Sequence, residues 1–144
     1  MSFRKYMQKG KEGHLRVGKV GEEVAAKFLV QNGFEIKERN YSKKWGELDI
    51  VAVKDKKLHF VEVKTLSWDS SREESGVFLS GYRPEDNVHP QKLKRLARVT
   101  ESYLASKRCA QGFSWQFDVA AVFLDLECRV ARVKMLWDLI LPAR

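Results

Sequence analysis

Two acidic side chains and a lysine sit in runs that are otherwise apolar and β-branched: Gly46-Glu47-Leu48-Asp49-Ile50-Val51-Ala52 and Val61-Glu62-Val63-Lys64. Such runs read as strands. Between them lies Lys54-Asp55-Lys56-Lys57, a polar linker of hairpin length. On a strand, residues two apart share a face, so Glu62 and Lys64 project together while Val61 and Val63 project oppositely. If the two strands pair, Asp49 comes within cation-sharing distance of Glu62. Charges in a sheet need a cation, a salt bridge or a phosphate, because burying them alone is costly. Mg²⁺ takes one or two carboxylates and keeps waters and substrate phosphate as its other ligands. Asp49 and Glu62 suit that role, the Val63 carbonyl could complete the protein share, and Mn²⁺ is the natural substitute. Lys64 could stabilise charge on the phosphate, or position or deprotonate the attacking water. The chemistry is metal-assisted phosphodiester hydrolysis. The bland alternative is a Glu62–Lys64 salt bridge on a solvated strand, worth little, with Asp49 bonded to backbone. The apolar neighbours favour the cation.

Elements must carry these groups to one place. Residues 17–32 read as a helix, with Val17, Val20, Val24 and Phe28 at helical spacing and Asn32-Gly33 as the stop. Helical rotation puts Glu22 beside Leu29 at the edge of the apolar stripe and Glu23 on the wet side, so Glu22 is the acid that can reach over the sheet. Glu47 shares the parity of Asp49 and is either a further ligand or a solvated group at the strand mouth. Strands are expected at 34–37, 47–53, 58–65 and 114–124, with a fifth at 129–136. A second helix runs from Pro90 to about Lys107, its stripe formed by Leu93, Leu96, Ala97, Thr100 and Leu104. The expected fold is α/β, a central mixed sheet flanked by helices in the order α-β-β-β-α-β with an extra C-terminal strand. Residues 1–144 suit one domain, with 1–13 a mobile basic arm and 67–88 a loop insertion.

Net charge is +8, unevenly spread. Residues 1–20 and 92–108 each carry +5, whereas 21–91, which hold the acidic residues, come to −2. Basic flanks around an acidic centre suit a phosphate polymer gripped on both sides of a metal site. Lys92, Lys94, Arg95 and Arg98 are either phosphate grips or a solvated helix face. Trp45 and Trp68 flank the proposed site as candidates for base stacking, while alternation around Trp115 places it in the core. His59 has the opposite parity to Glu62 and should face away. No histidine has ligand spacing with another His or Cys, which argues against zinc. Asp118, among apolar neighbours, suits a structural hydrogen bond. No apolar run is long enough to cross a bilayer, and no secretory signal is visible, so a cytoplasmic protein is expected. Cys109 and Cys128 read as free thiols.

Taken in order, these segments resemble the PD-(D/E)XK nuclease superfamily. They are closest in pattern to the small bacterial YraN family of restriction-endonuclease-like proteins, related to archaeal Holliday junction resolvases. The matching pieces are Gly21-Glu22-Glu23-Val24-Ala25, Asn40 with Trp45 to Ala52, Phe60-Val61-Glu62-Val63-Lys64, Lys92, and Phe117-Asp118-Val119-Ala120-Ala121-Val122. Leu48 stands where the superfamily has its proline, and 67–88 is longer than the compact pattern. The resemblance implies a restriction-endonuclease-like core. It assigns the divalent metal to Asp49 and Glu62, makes Lys64 the catalytic lysine and makes Glu22 the helix acid. The activity it implies is a Mg²⁺-dependent endonuclease on DNA, with branched or recombination intermediates as candidate substrates and a homodimer as a candidate assembly. RNA is the lesser expectation, since nothing in the sequence singles out a ribose. The alternative is a module on the same fold that binds nucleic acid or protein without catalysis.

Overall fold

The structure, a computed structural model, describes residues 11–72, 90–107 and 112–140. Most of the expected arm (1–10) and most of the expected insertion (73–88) lie outside the described residues. The elements are α1 (Lys11–Gln31), β1 (Glu35–Lys43), β2 (Gly46–Lys54), β3 (Lys57–Ser67), α2 (Pro90–Ser106), β4 (Ser114–Asp125) and β5 (Val130–Leu139). The strands form one sheet in the order β1-β2-β3-β4-β5. Only β3 and β4 are parallel, and α2 lies in the connection between them. This is the α/β mixed sheet that the sequence predicts.

Each helix covers one face. Val20, Ala25 and Leu29 of α1 pack on Ile50, Ala52, Val61, Ala120 and Val122. Leu96, Val99 and Tyr103 of α2 pack on Val51, Phe60, Phe117 and Val119. β4 is buried on both sides, as its nearly continuous apolar run requires.

Local signals fix the ends. Gly33 has φ of 87°. Beside it, Phe34 N donates to Leu29 O and Gly33 N to Val30 O, a Schellman stop that a left-handed glycine permits. Asp55 and Lys56 both have positive φ, as a two-residue hairpin turn demands. The helix begins earlier than expected, so 11–13 belong to α1 and not to an arm. The expected loop also begins later: β3 runs to Ser67, and a 3-10 turn spans Ser70–Arg72. That turn is tied down by Asp125, whose Oδ2 accepts from Ser70 N and Oγ while its Oδ1 accepts from Cys128 N. These bonds hold the Asp125 carboxyl well below the usual carboxylate range. Cys128 is free and exposed, and Cys109 lies outside the described residues. Among the described residues no helix is long and apolar enough to cross a membrane.

Candidate functional site

The β2–β3 ladder runs from Lys54↔Lys57 to Ile50↔Val61 and stops there. The next facing residues are Asp49 and Glu62. β3 continues beside β4 to Ser67, so the sheet splits at the acidic pair. On the other side of β2 the register passes from Arg39↔Ile50 to Tyr41↔Leu48, leaving Asn40 and Asp49 out of the ladder. Asn40 has φ of 55°, a left-handed conformation that asparagine tolerates better than most side chains. The break also turns β2. Ile50 packs on the α1 side, yet Leu48 joins the α2 side, where strict alternation would put both on one face.

At the split, Asp49 Oδ2 accepts a bond from Val63 N at 2.8 Å. A carboxylate thus replaces the missing ladder acceptor and is pinned to β3. Glu62 is 7% exposed, hydrogen-bonds with Asp49 and has its pKa pushed up to about 7. Burial is the main cause and the charge of Asp49 the next, opposed by Lys92. Lys92 Nζ lies 2.5 Å from Glu62 Oε1. Burial works against the charge on Lys92, but Glu62 and Asp49 outweigh it and raise its pKa.

Glu22 approaches from α1. Burial, then the Asp49 charge, raise its pKa, while Arg39 lowers it. Glu47 is raised by burial and by Asp49. The Asn40 side-chain amide, with its NH₂ turned inward, donates to Glu47 Oε1 at 2.9 Å and to Glu22 Oε2 at 3.3 Å. Glu23 lies on the wet side and pairs with Arg39 at 2.7 Å. Glu22 gets this close because α1 rests on β3 through Gly21, where an added Cβ would stand 1.8 Å from Thr65 Oγ1.

The structure therefore brings Asp49, Glu62, Lys92, Glu22 and Glu47 to one place. Lys64 lies on the α2 side of β3 with Glu62 by alternation, half-buried, with no hydrogen bond or ion pair among the described residues. Val63 contributes its N–H to Asp49, and its side chain packs on the α1 side. Lys92 parts from the helix-face cations with which the sequence groups it. Pro90 starts α2, so residue 92 falls in the first turn, over the split. Lys94 and Arg95 are exposed, as is Arg98. The Arg98 guanidinium covers the Trp45 ring at 4.4 Å, so Trp45 spends one face on a cation–π contact and packs its edge on the α2 core.

Two tryptophans reverse their expected places. Trp68 is buried with Ala121 and Phe123. Trp115 is 43% exposed, at the exposed start of β4 before its buried run begins at Phe117. His59 and Asp118 bond to each other away from the cluster, as their parity and surroundings predict. Asn40 was legible as a motif residue but not as the amide that joins two carboxylates. A polar residue opposite Asp49 in an edge strand was the available signal.

The match to known proteins follows these same segments. The model of "Uncharacterised protein family UPF0102" fits residues 21–122, the span from Gly21 in α1 to Val122 within β4. The chain belongs to the UPF0102 family. This is the group that the sequence resemblance names as YraN. A UPF0102 protein of Moorella thermoacetica is 40% identical over 121 residues, covering 84% of this chain and 92% of the relative. One of Syntrophus aciditrophicus is 37% identical over 127 residues, covering 88% and 91%. One of Caldicellulosiruptor bescii is 31% identical over 123 residues, covering 85% and 95%.

Proposed function

We propose that this UPF0102 protein is a divalent-metal-dependent endonuclease that hydrolyses DNA phosphodiester bonds. The observation that carries the reading is the buried Asp49–Glu62 pair at the split of β2 from β3. The donor set fits a hydrated divalent cation. Two carboxylates are held in contact against their mutual repulsion, and a cation between them would relieve it. Among the described residues no three His, Cys, Asp or Glu side chains gather as a metal-holding group; Asp49 and Glu62 would be the protein's carboxylates, with water and substrate phosphate as the other ligands. When bound, the cation would supply charge neutralisation and Lewis-acid polarisation at the phosphodiester.

The chain's own groups do the remainder. The Lys64 ammonium, without a partner among the described residues and on the same face as Glu62, stabilises charge developing on the phosphate. Glu22, reaching the cluster from the other helix, accepts a hydrogen bond from the attacking water. Lys92 shields Glu62, and the exposed Lys94, Arg95 and Arg98 grip the polymer backbone. The resemblance to PD-(D/E)XK nucleases and archaeal junction resolvases supports DNA over RNA and branched over linear substrates.

The test is a cleavage panel of junctions, flaps and linear duplexes with Mg²⁺ or Mn²⁺. Junction cleavage is expected, lost in Asp49→Asn and Glu62→Gln. Cutting that persists at wild-type rate in both variants removes the mechanism.

One observation favours the second reading, a binding module: Lys92 already neutralises part of the cluster. That reading predicts salt-sensitive DNA binding with no heat on Mn²⁺ titration. The lysine also yields a prediction of its own. Because Lys92 lowers the Glu62 pKa, Lys92→Met should push it higher than about 7. The calorimetric Mn²⁺ signal should then need a more alkaline buffer than in wild type. An unchanged pH profile would mean that the ion pair does not tune the ligand.

A further inference from the structure

At the other end of β3 a cavity of about 430 Å³ opens between the last turn of α1, the β2–β3 hairpin and the end of β5. Its size lies in the range of about 300–1,000 Å³ usual for small-molecule sites. None of the carboxylates of the candidate metal site lines it. The polar groups around it are organised. His59 is 7% exposed, and its Nδ1 lies 2.7 Å from Asp118 Oδ2. Asp118 is fully buried and also accepts from Gln116 Nε2 at 2.7 Å and Asp138 N at 2.8 Å. A carboxylate with three donors can only accept, so Nδ1 carries the proton. The remaining ring nitrogen, Nε2, has no hydrogen bond among the described residues, and the ring lines the cavity. Gln116 spends its NH₂ on Asp118, which leaves its carbonyl oxygen as an acceptor. Two acceptors on fixed frames therefore border one cavity.

The backbone is distorted to build this end. The β4–β5 register shifts between Phe117 and Val119, and Asp138, on the bulged side, has φ of 58°. Strained residues and bulges gather where a side chain is being re-aimed. Here the bulge delivers the Asp138 N–H to Asp118. It also sets Trp137 nearly parallel to Phe34, at 6° and 5.9 Å between ring centres. Trp137 still leaves 47% of its surface exposed. Lys54 lies 5.2 Å over the Phe34 ring and donates to Asn32 O. Lys57 has no partner among the described residues. Asp55 stands at the rim, leaving the two lysines in excess.

We propose that this cavity is a nucleotide site, taking a base that bears an exocyclic amine and, at the lysines, its phosphate. A planar base can stack on the open Trp137 surface. Its N–H donors meet His59 Nε2 and the Gln116 carbonyl, and the anion meets Lys54 and Lys57. A nucleotide uses the aromatic face, the paired acceptors and the cations together. The source is either a free nucleotide or an unpaired nucleotide of a nucleic acid strand. The site stands apart from the metal reading and does not depend on it.

The test is tryptophan fluorescence titration of the full chain with adenosine 5′-monophosphate, adenosine, ribose 5-phosphate and a short single-stranded oligo(dA). Saturable quenching by the monophosphate marks the free nucleotide as the source. Quenching by the oligonucleotide alone marks a strand. In either case Trp137→Ala should weaken affinity about tenfold or more, as loss of base–aromatic stacking does. Lys57→Ala should weaken the phosphorylated ligands but not adenosine. Asp49→Asn should leave the affinity for the monophosphate and for adenosine unchanged. No saturable binding of any base-containing ligand, or binding as tight in correctly folded Trp137→Ala as in wild type, overturns the proposal.

Discussion

Glu62→Gln is expected to make the metal-free protein more stable at pH 8 than wild type while abolishing metal-dependent cleavage. The pKa of Glu62 rises from 4.5 to about 7 on folding, chiefly through burial and then through the Asp49 charge. Between those values the folded state holds a proton that the unfolded chain has released. Stability from this group is therefore complete below about pH 4.5 and disappears as pH rises through about 7. The loss is on the order of 3 kcal/mol, a large share of a domain's typical 5–15 kcal/mol. Glutamine keeps the shape and the neutral state at every pH, so its unfolding free energy should stay flat where that of wild type falls. Urea denaturation at pH 5, 7 and 8.5 reads this directly, and parallel curves would show that Glu62 is not desolvated as its burial indicates. Activity moves the other way. If Glu62 is a ligand as proposed, removing it should cost more than the 10- to 100-fold typical of outer-shell partners, so the variant should be stabilised and inactive. The proton also competes with the cation, and Mn²⁺ affinity in wild type should weaken as pH drops below about 7.

The face on which each candidate group lies was legible wherever the strand period of two applied. Glu62 and Lys64 fall on one face and Val61 and Val63 on the other because β3 runs in unbroken register beside β4, with Leu58 and Phe60 on the α2 side and Val61 and Val63 on the α1 side. Helix rotation likewise separates Glu22, which feels the Asp49 charge, from Glu23, which pairs with Arg39, because α1 is regular through that turn. Legibility failed where a backbone irregularity intervened. Strand periodicity carries no sign of the left-handed Asn40 in β1, nor of the switch in β2 that puts Leu48 on a face that counting from Ile50 would deny it. β1 runs to Lys43, although the sequence suggests a strand ending at residue 37. An edge strand with most of its residues exposed has no buried face to pattern. Lys92 could not be told from Lys94 or Arg95 by type. Only its place in the first turn, two residues after Pro90, distinguishes it. Trp115 has the alternation of a core residue, but alternation fixes the side of the sheet and says nothing about how far the covering helix extends.

Gly21→Ala is expected to destabilise the fold and to take Glu22 away from the cluster, and Thr65→Ala is expected to restore most of both. An alanine normally strengthens a helix by about 1 kcal/mol over glycine. Here its Cβ would stand 1.8 Å from Thr65 Oγ1 and 2.9 Å from both Thr65 Cβ and Cγ2. Rotating the threonine cannot relieve all three contacts, because its Cβ does not move with χ1. α1 must lift or slide, opening the packing of Val20 and Leu29 on Val61. Overpacking of this kind costs about 1–3 kcal/mol, so the clash outweighs the helix gain. Glu22 follows Gly21 directly, and a helix displaced at residue 21 carries the acid with it. Cleavage should therefore fall along with stability, although residue 21 has no chemistry of its own. Thr65→Ala removes Oγ1 and Cγ2 and leaves a single contact that a small shift can satisfy. In that background alanine at 21 should be nearly neutral, giving a coupling of about 1 kcal/mol or more in a double-mutant cycle. Strict additivity of the two substitutions in urea denaturation would mean that the helix is not seated on Thr65. The cleavage rate of the double variant then separates the roles, since recovered stability without recovered activity would show that Glu22 needs the native height of α1 and not merely a folded helix.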